Sequence, residues 1–201
     1  MRNYHYFQIN NFKAVRSTHP YVRRIKRLEK GHSAHGNKVW RSAFALIDYL
    51  TTYPLESGAK VLDIGCGWGL SGLYLNKNYG AQVTGIDIDP TVEPYIKLQG
   101  EINQCSMDFQ KRSFESFTTA ELSEYDYLIG ADICFWDEMT DPLFNFIRRA
   151  RKGNVKKIAI ADPGRPPFWD LADRCANKLQ SEVITRRLSH PWKTEKYILV
   201  I

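Results

Sequence analysis

The chain has 201 residues, 43% of them apolar and 25% charged, with four cysteines and a formal charge of +6. That length suits one ordinary domain with a real core, and the globular proportions argue against disorder. No run approaches a membrane span and no apolar signal core opens the chain, so the expectation is a soluble, cytoplasmic protein.

Cys66, Cys105, Cys134 and Cys175 make no CxxC pair and no zinc pattern, which predicts four reduced, mostly buried thiols and no metal site. The charge is uneven. Residues 1–41 hold ten Lys or Arg against Glu29 alone, whereas the remainder holds eighteen basic and twenty-one acidic residues. Such an arm reads either as a surface for an acidic partner, protein or nucleic acid, or as a solvated helix face.

In chain order, residues 1–37 are expected to form a basic arm with a short helix over 21–30 and a loop from Gly31 to Gly36. The main domain then spans 38–201. Val39, Ala43, Leu46, Ile47 and Leu50 give 38–52 a helical spacing that Pro54 and Gly58 end. AKVLDI (59–64) predicts a strand, followed by a glycine-rich turn and a helix ending near Gly80. AQVTGID (81–87) predicts a second strand, and Pro90 starts a helix that runs to about Asn103. A weaker strand is expected near 107–113, a strong apolar one at 125–132, a helix over about 138–151 and a strand at 156–162. Apolar strands separated by helices predict a doubly wound α/β fold with a mostly parallel sheet. SEVITRRLS (181–189) and TEKYILVI (194–201) are joined by too short a loop for a crossover, so they predict a C-terminal antiparallel hairpin.

The most informative segment is VLDIGCGWGLSG (61–72). Gly65, Gly67, Gly69 and Gly72 follow a strand and open a helix, which lets backbone turn tightly and approach a ligand. Asp87 closes the next strand, where a carboxylate accepts bonds from ribose hydroxyls. The two features predict a nucleoside ligand. Gly67 to Gly72 also fits the dinucleotide pattern GxGxxG, but Asp63 decides against it. A carboxylate there would repel a pyrophosphate and attract the ammonium and sulfonium of S-adenosylmethionine.

VLDIGCGWG followed by VTGIDIDP resembles the first two motifs of class I methyltransferases. KVWRSAFALIDYL (38–50), GADICFW (130–136) and ADPGR (161–165) resemble the protein-lysine methyltransferase branch that includes the electron-transfer-flavoprotein β-subunit enzymes. The resemblance implies a Rossmann-like fold, S-adenosylmethionine as cofactor and N-methylation of a protein lysine. It places Trp40 near the cofactor, Gly65 and Gly67 against its methionine portion, Asp87 at the ribose and Ile88 among the cofactor-binding residues. Ser113 or Phe114 would flank the adenine, with Asp108 a competitor for Ser113, and Ala131 would line the floor. Phe135 stands where the lysine-modifying enzymes usually carry Tyr. Asp132, ending a buried strand at the sheet's carboxyl edge, is the candidate at the methyl-transfer site; its alternative is a helix cap. Asp162 and Arg165 read either as shaping the substrate path or as a salt-bridged turn. A protein substrate with an acidic surface is expected. A small amine or nucleic acid is the alternative, and a non-enzymatic nucleic-acid-binding module would leave Asp63, the glycines and Asp87 unexplained.

Overall fold

The computed structural model of the protein describes residues 5–28 and 38–201. Strands β3 (Lys60–Ile64), β4 (Gln82–Asp87), β5 (Asp108–Lys111), β6 (Tyr127–Ala131), β7 (Lys157–Asp162), β8 (Glu182–Leu188) and β9 (Thr194–Val200) form one sheet in the order β5-β4-β3-β6-β7-β9-β8. The five strands β5 to β7 pair in parallel, and β9 enters antiparallel between β7 and β8. β3 and β6 are therefore neighbours, with Asp63 opposite Ile129. No helix among the described residues is long and apolar enough to cross a membrane.

Strand residues alternate between two cores. Leu62, Ile64, Leu128, Ile158 and Ile160 pack against α6 (Thr140–Lys152) and α7 (Pro166–Leu179). Val61, Ile129, Ala159 and Ile198 pack against α2 (Ser42–Thr52), with α3 (Leu70–Tyr79) on the same side. This parity sends Asp63 toward the α2 and α3 face, where an acid has no bulk solvent.

Several boundaries differ from the sequence expectation. The lead helix α2 starts at Ser42 and not at 38, because the Asp132 carboxylate accepts the Ser42 N–H at 2.9 Å and fixes the first turn there. β5 is four residues long. α7 and the short α5 (Thr119–Leu122) were not anticipated, nor was an N-terminal hairpin of β1 (Tyr6–Ile9) and β2 (Phe12–Val15). β2 docks on α4 (Glu93–Asn103) through two side chains one turn apart. Gln99 accepts the Val15 N–H and Asn103 accepts the Lys13 N–H, while both side-chain amides donate to the Lys13 carbonyl. The basic helix α1 runs Pro20–Leu28, and the expected loop at 31–36 lies outside the described residues. Cys66, Cys134 and Cys175 are buried free thiols and Cys105 is half-buried.

Candidate active site

After β3 the chain turns through Gly65, Gly67 and Gly69 with φ of 59°, 51° and 71°. All three are left-handed, a region that costs other residues about 1–2 kcal/mol. A Cβ on Gly65 would strike Ile133 Cγ2 at 2.7 Å, whereas one on Gly67 would meet nothing within 4 Å. Gly65 thus permits close packing of the segment after β6, and Gly67 leaves open space at the sheet's carboxyl edge.

Asp63 is 3% exposed, and its Oδ2 accepts the Gly72 N–H at 3.1 Å. No cation pairs with it among the described residues. Burial pushes its carboxyl up to about 7, against the Gly72 N–H, and the Asp87 charge adds to the rise. Asp87 accepts the Gly67 N–H at 3.1 Å on one oxygen and the Asp89 N–H at 3.0 Å on the other. Burial raises its pKa as well, opposed by those two N–H groups.

Ile88 follows, 72% exposed. Lys111 lies opposite Asp87, and the Arg112 N–H donates to the Asp87 carbonyl at 3.0 Å. That register carries Ser113 and Phe114 to the same edge, while Asp108 sits opposite Thr84 at the far end of β5. Ser113 accepts the Glu115 N–H at 3.3 Å, and the Phe114 ring packs on Phe146.

Trp40, Asp63, Gly65, Gly67 and Ala131 line one recess. Asp87 joins it through the Gly67 N–H, whereas Ile88, Ser113 and Phe114 lie along the edge without lining it. The recess is narrow, about 30 Å³, and shares Lys38, Val39 and Trp40 with a neighbouring cleft of about 490 Å³. Asp132 lines that larger cleft. It is 5% exposed and adopts a φ of 58°. Its Oδ2 holds the Ser42 N–H, and its Oδ1 accepts Arg165 Nη2 at 3.1 Å. Arg165 also donates to Asp162 Oδ2 at 2.6 Å, and the other Asp162 oxygen takes the Gly164 and Arg165 N–H groups at 2.9 Å. The guanidinium stands 4.1 Å over Phe135, whose ring meets Trp40 edge-on at 5.1 Å. Asp132 thus caps a helix and joins the Asp162–Arg165 turn at once.

Sequence reasoning missed Phe7, Arg16, Trp192 and Lys196, which also line the larger cleft. The signal for Phe7 and Arg16 was the Asn10–Asn11 pair between alternating apolar runs, a two-residue hairpin turn. Nothing local marks Lys196, which reads as an ordinary polar strand position.

Residues 61–153 match the family described as a methyltransferase domain. The ribosomal protein L11 methylase from Lactobacillus delbrueckii subsp. bulgaricus superposes with a TM-score of 0.65 over 98% of both chains, at 11% identity, a likeness of fold. Residues 61–153 thus resemble a class I methyltransferase domain. S-adenosylmethionine is the cofactor of that family. The electron transfer flavoprotein beta subunit lysine methyltransferase of Xenopus laevis is 30% identical to this chain over 131 residues, 64% of this chain and 52% of that protein. Phosphoethanolamine N-methyltransferase 1 of Triticum aestivum is 28% identical over 60% of this chain and 24% of that protein. The chain spans about half the length of the lysine-modifying relatives it matches.

The side chains present suit the cofactor. Asp63 is a buried acid with no cation among the described residues, which an ammonium would neutralise. Gly67 opens onto space with no atom within 4 Å of an added Cβ, and the exposed Ile88 offers apolar surface beside Asp87.

Proposed function

We propose that this methyltransferase moves a methyl group from S-adenosylmethionine to an amine nitrogen, and that the amine is a lysine of a protein with an acidic surface, in the cytoplasm. The observation that carries the reading is Asp63, a buried carboxylate with no cation among the described residues, beside an open glycine turn. The likeness to the Xenopus laevis enzyme favours lysine as the acceptor.

In this reading Asp63 holds the cofactor's ammonium, Gly65 and Gly67 admit its methionine portion, and Asp87 accepts from the ribose hydroxyls. Ile88, Ser113 and Phe114 flank the adenine, and Trp40 and Ala131 wall the methyl end. The bound cofactor supplies a methyl group on a sulfonium, open to direct displacement. The chain's own task is alignment and exclusion of water, and positioning alone supplies about 7–11 kcal/mol. A lysine acceptor must first lose its proton, which at a reference pKa near 10.4 costs about 4.6 kcal/mol at pH 7. Asp132 orients the arriving amine and holds Arg165 and the start of α2 in place; water takes the proton.

The test is transfer of label from S-adenosylmethionine into a cell lysate by the purified chain, followed by acid hydrolysis. Methyl-lysine is the expected product. Label in nucleic acid or in small amines overturns the lysine reading.

A further inference from the structure

The 490 Å³ cleft beside the glycine turn is walled by four cations that the steps above do not use: Arg16 after β2, Lys38 and Arg41 ahead of α2, and Lys196 on β9. Three of them stand over rings. Arg16 lies 4.5 Å from the Phe7 centroid, Lys38 4.2 Å from Trp40 and Arg41 4.8 Å from Trp192. Among the described residues no carboxylate pairs with any of the four. The acid in the lining, Asp132, is already held by Arg165 and the Ser42 N–H.

Lys196 is the decisive member. It is 9% exposed, yet it lines the cleft and has no counter-charge among the described residues. Directly opposite it on β8 is another cation, Arg186, whose charge is taken up by Asp48. Like charges facing across a strand pair repel, and enclosing an ammonium without a partner is costly. An anionic ligand removes both penalties.

We propose that this cleft is a carboxylate-binding subsite, and that the acceptor lysine is presented by a peptide segment whose neighbouring Asp or Glu side chains reach Lys196 and Arg41. The inference rests on the lysine reading above and adds what the substrate must carry beside its lysine. The same cations repel the acceptor's own ammonium and favour the reactive neutral amine, so attraction comes from the flanking acids and not from the lysine. The rings favour a carboxylate over a nucleic acid. Single strands bind through aromatic faces on which bases stack. Here Phe7 carries Arg16 and touches both Phe44 and Trp192, Trp192 carries Arg41, and Trp40 carries Lys38 and meets Phe135.

The experiment uses two fluorescein-labelled peptides of one length, each with a single lysine, one flanked by Asp and Glu and the other by Asn and Gln. Polarisation is read on the full chain saturated with S-adenosylhomocysteine, at low salt. A charge-assisted bond predicts that the acidic peptide binds about tenfold more tightly, and that Lys196→Gln and Arg41→Gln each remove most of that gain. Calorimetry should find S-adenosylhomocysteine affinity within about twofold of wild type in both variants, which shows that they fold. Equal binding of the two peptides overturns the subsite, as does wild-type binding of the acidic peptide by both variants. An oligothymidylate of equal charge that outcompetes the acidic peptide also overturns it and gives the cleft to nucleic acid. Methyl transfer measured in the same samples separates the two claims. Charge-dependent binding without methyl-lysine keeps the subsite and removes the lysine reading, and equal methylation of both peptides does the reverse.

Discussion

Replacing Asp63 by Asn should stabilise the ligand-free protein and weaken its hold on the cofactor. Asp63 is enclosed, its one hydrogen bond among the described residues comes from the Gly72 N–H, and burial raises its carboxyl from 3.8 to about 7. That displacement corresponds to about 4 kcal/mol of penalty for ionising the folded protein. The folded-state value lies above the unfolded one, so the folded protein holds the proton more tightly. Stability is therefore full below pH 3.8 and falls as pH rises toward 7, where the charged carboxylate must be tolerated. Asn keeps an oxygen for the Gly72 N–H and never ionises. At about 2–4 °C per kcal/mol for a chain of this size, the Asn variant should melt roughly 8–16 °C higher than wild type at pH 8, and by less than half of that margin at pH 5.

The cofactor's ammonium reverses the sign of the effect, because it is attracted only to the ionised acid. Wild-type affinity for S-adenosylhomocysteine should climb as pH rises from 6 to 8, roughly tenfold per pH unit at first, and then level off above the carboxyl's pKa. In Asp63→Asn the affinity should be lower at pH 8 and flat across that range. Differential scanning calorimetry at the two pH values and titration calorimetry across the range provide the readouts. A variant that melts with wild type at pH 8 and keeps the same pH-dependent affinity would refute the assignment of Asp63 to the ammonium.

Asp87→Ala should weaken S-adenosylhomocysteine binding by about 1–3 kcal/mol, since ribose hydroxyls lose a charged acceptor; unchanged calorimetric affinity in a folded variant would mean that another group holds the ribose. Asp132→Ala removes the cap of α2, worth about 0.5–2 kcal/mol, and the partner of Arg165. Asp132→Asn keeps an acceptor for Ser42 but loses the charge. Both should cut turnover on the labelled substrate while cofactor affinity stays within about tenfold; near-normal turnover in Asp132→Asn would reduce the residue to a cap. Ligands of this size occupy clefts of about 300–1,000 Å³, and the recess is only about 30 Å³. Binding is expected to shift the Lys38–Trp40 wall outward, and Trp40→Phe should abolish most of the change in tryptophan fluorescence that S-adenosylhomocysteine produces in wild type. An unaltered fluorescence response in Trp40→Phe would place that movement elsewhere.

What the sequence showed and what it hid follow from the range of the interactions. β3, β4, β6 and β7 are apolar runs buried on both faces, and the glycine turn with Asp87 twenty residues on is a local backbone requirement, so all were legible. The lead helix was legible but its start was not, because Ser42 is capped by a carboxylate ninety residues away. The N-terminal hairpin is short, and it is held by Gln99 and Asn103 of a distant helix. Local pattern alone carried only the Asn10–Asn11 turn. α7 had readable signals, two prolines at its first turn and Leu171 with Cys175 four residues on, both fully buried. Its polar face, with Asp170, Asp173 and Lys178, diluted that periodicity. Lys196 was invisible because a strand between β7 and β8 exists only once the C-terminal hairpin inserts its second strand inward.

The same long-range contacts join the two halves of the site. The recess and the larger cleft share the segment Lys38 to Trp40 as their common wall, and Ser42 begins α2 two residues further on. Asp132 grips that helix by the Ser42 N–H and grips Arg165 by its other oxygen, while Arg165 lies on Phe135 and Phe135 on Trp40. A closed circuit thus runs from the end of β6 through the turn after β7 to the lead segment and back. Displacing Trp40 to admit a cofactor disturbs the Phe135 and Arg165 stack and the wall that carries Lys38 and Arg41. By linkage, the factor by which the cofactor changes the affinity of a ligand held on the cleft side equals the factor by which that ligand changes the cofactor's affinity. Asp132 therefore lies where loss of charge would alter turnover through both halves at once, with no direct contact to the methyl group required.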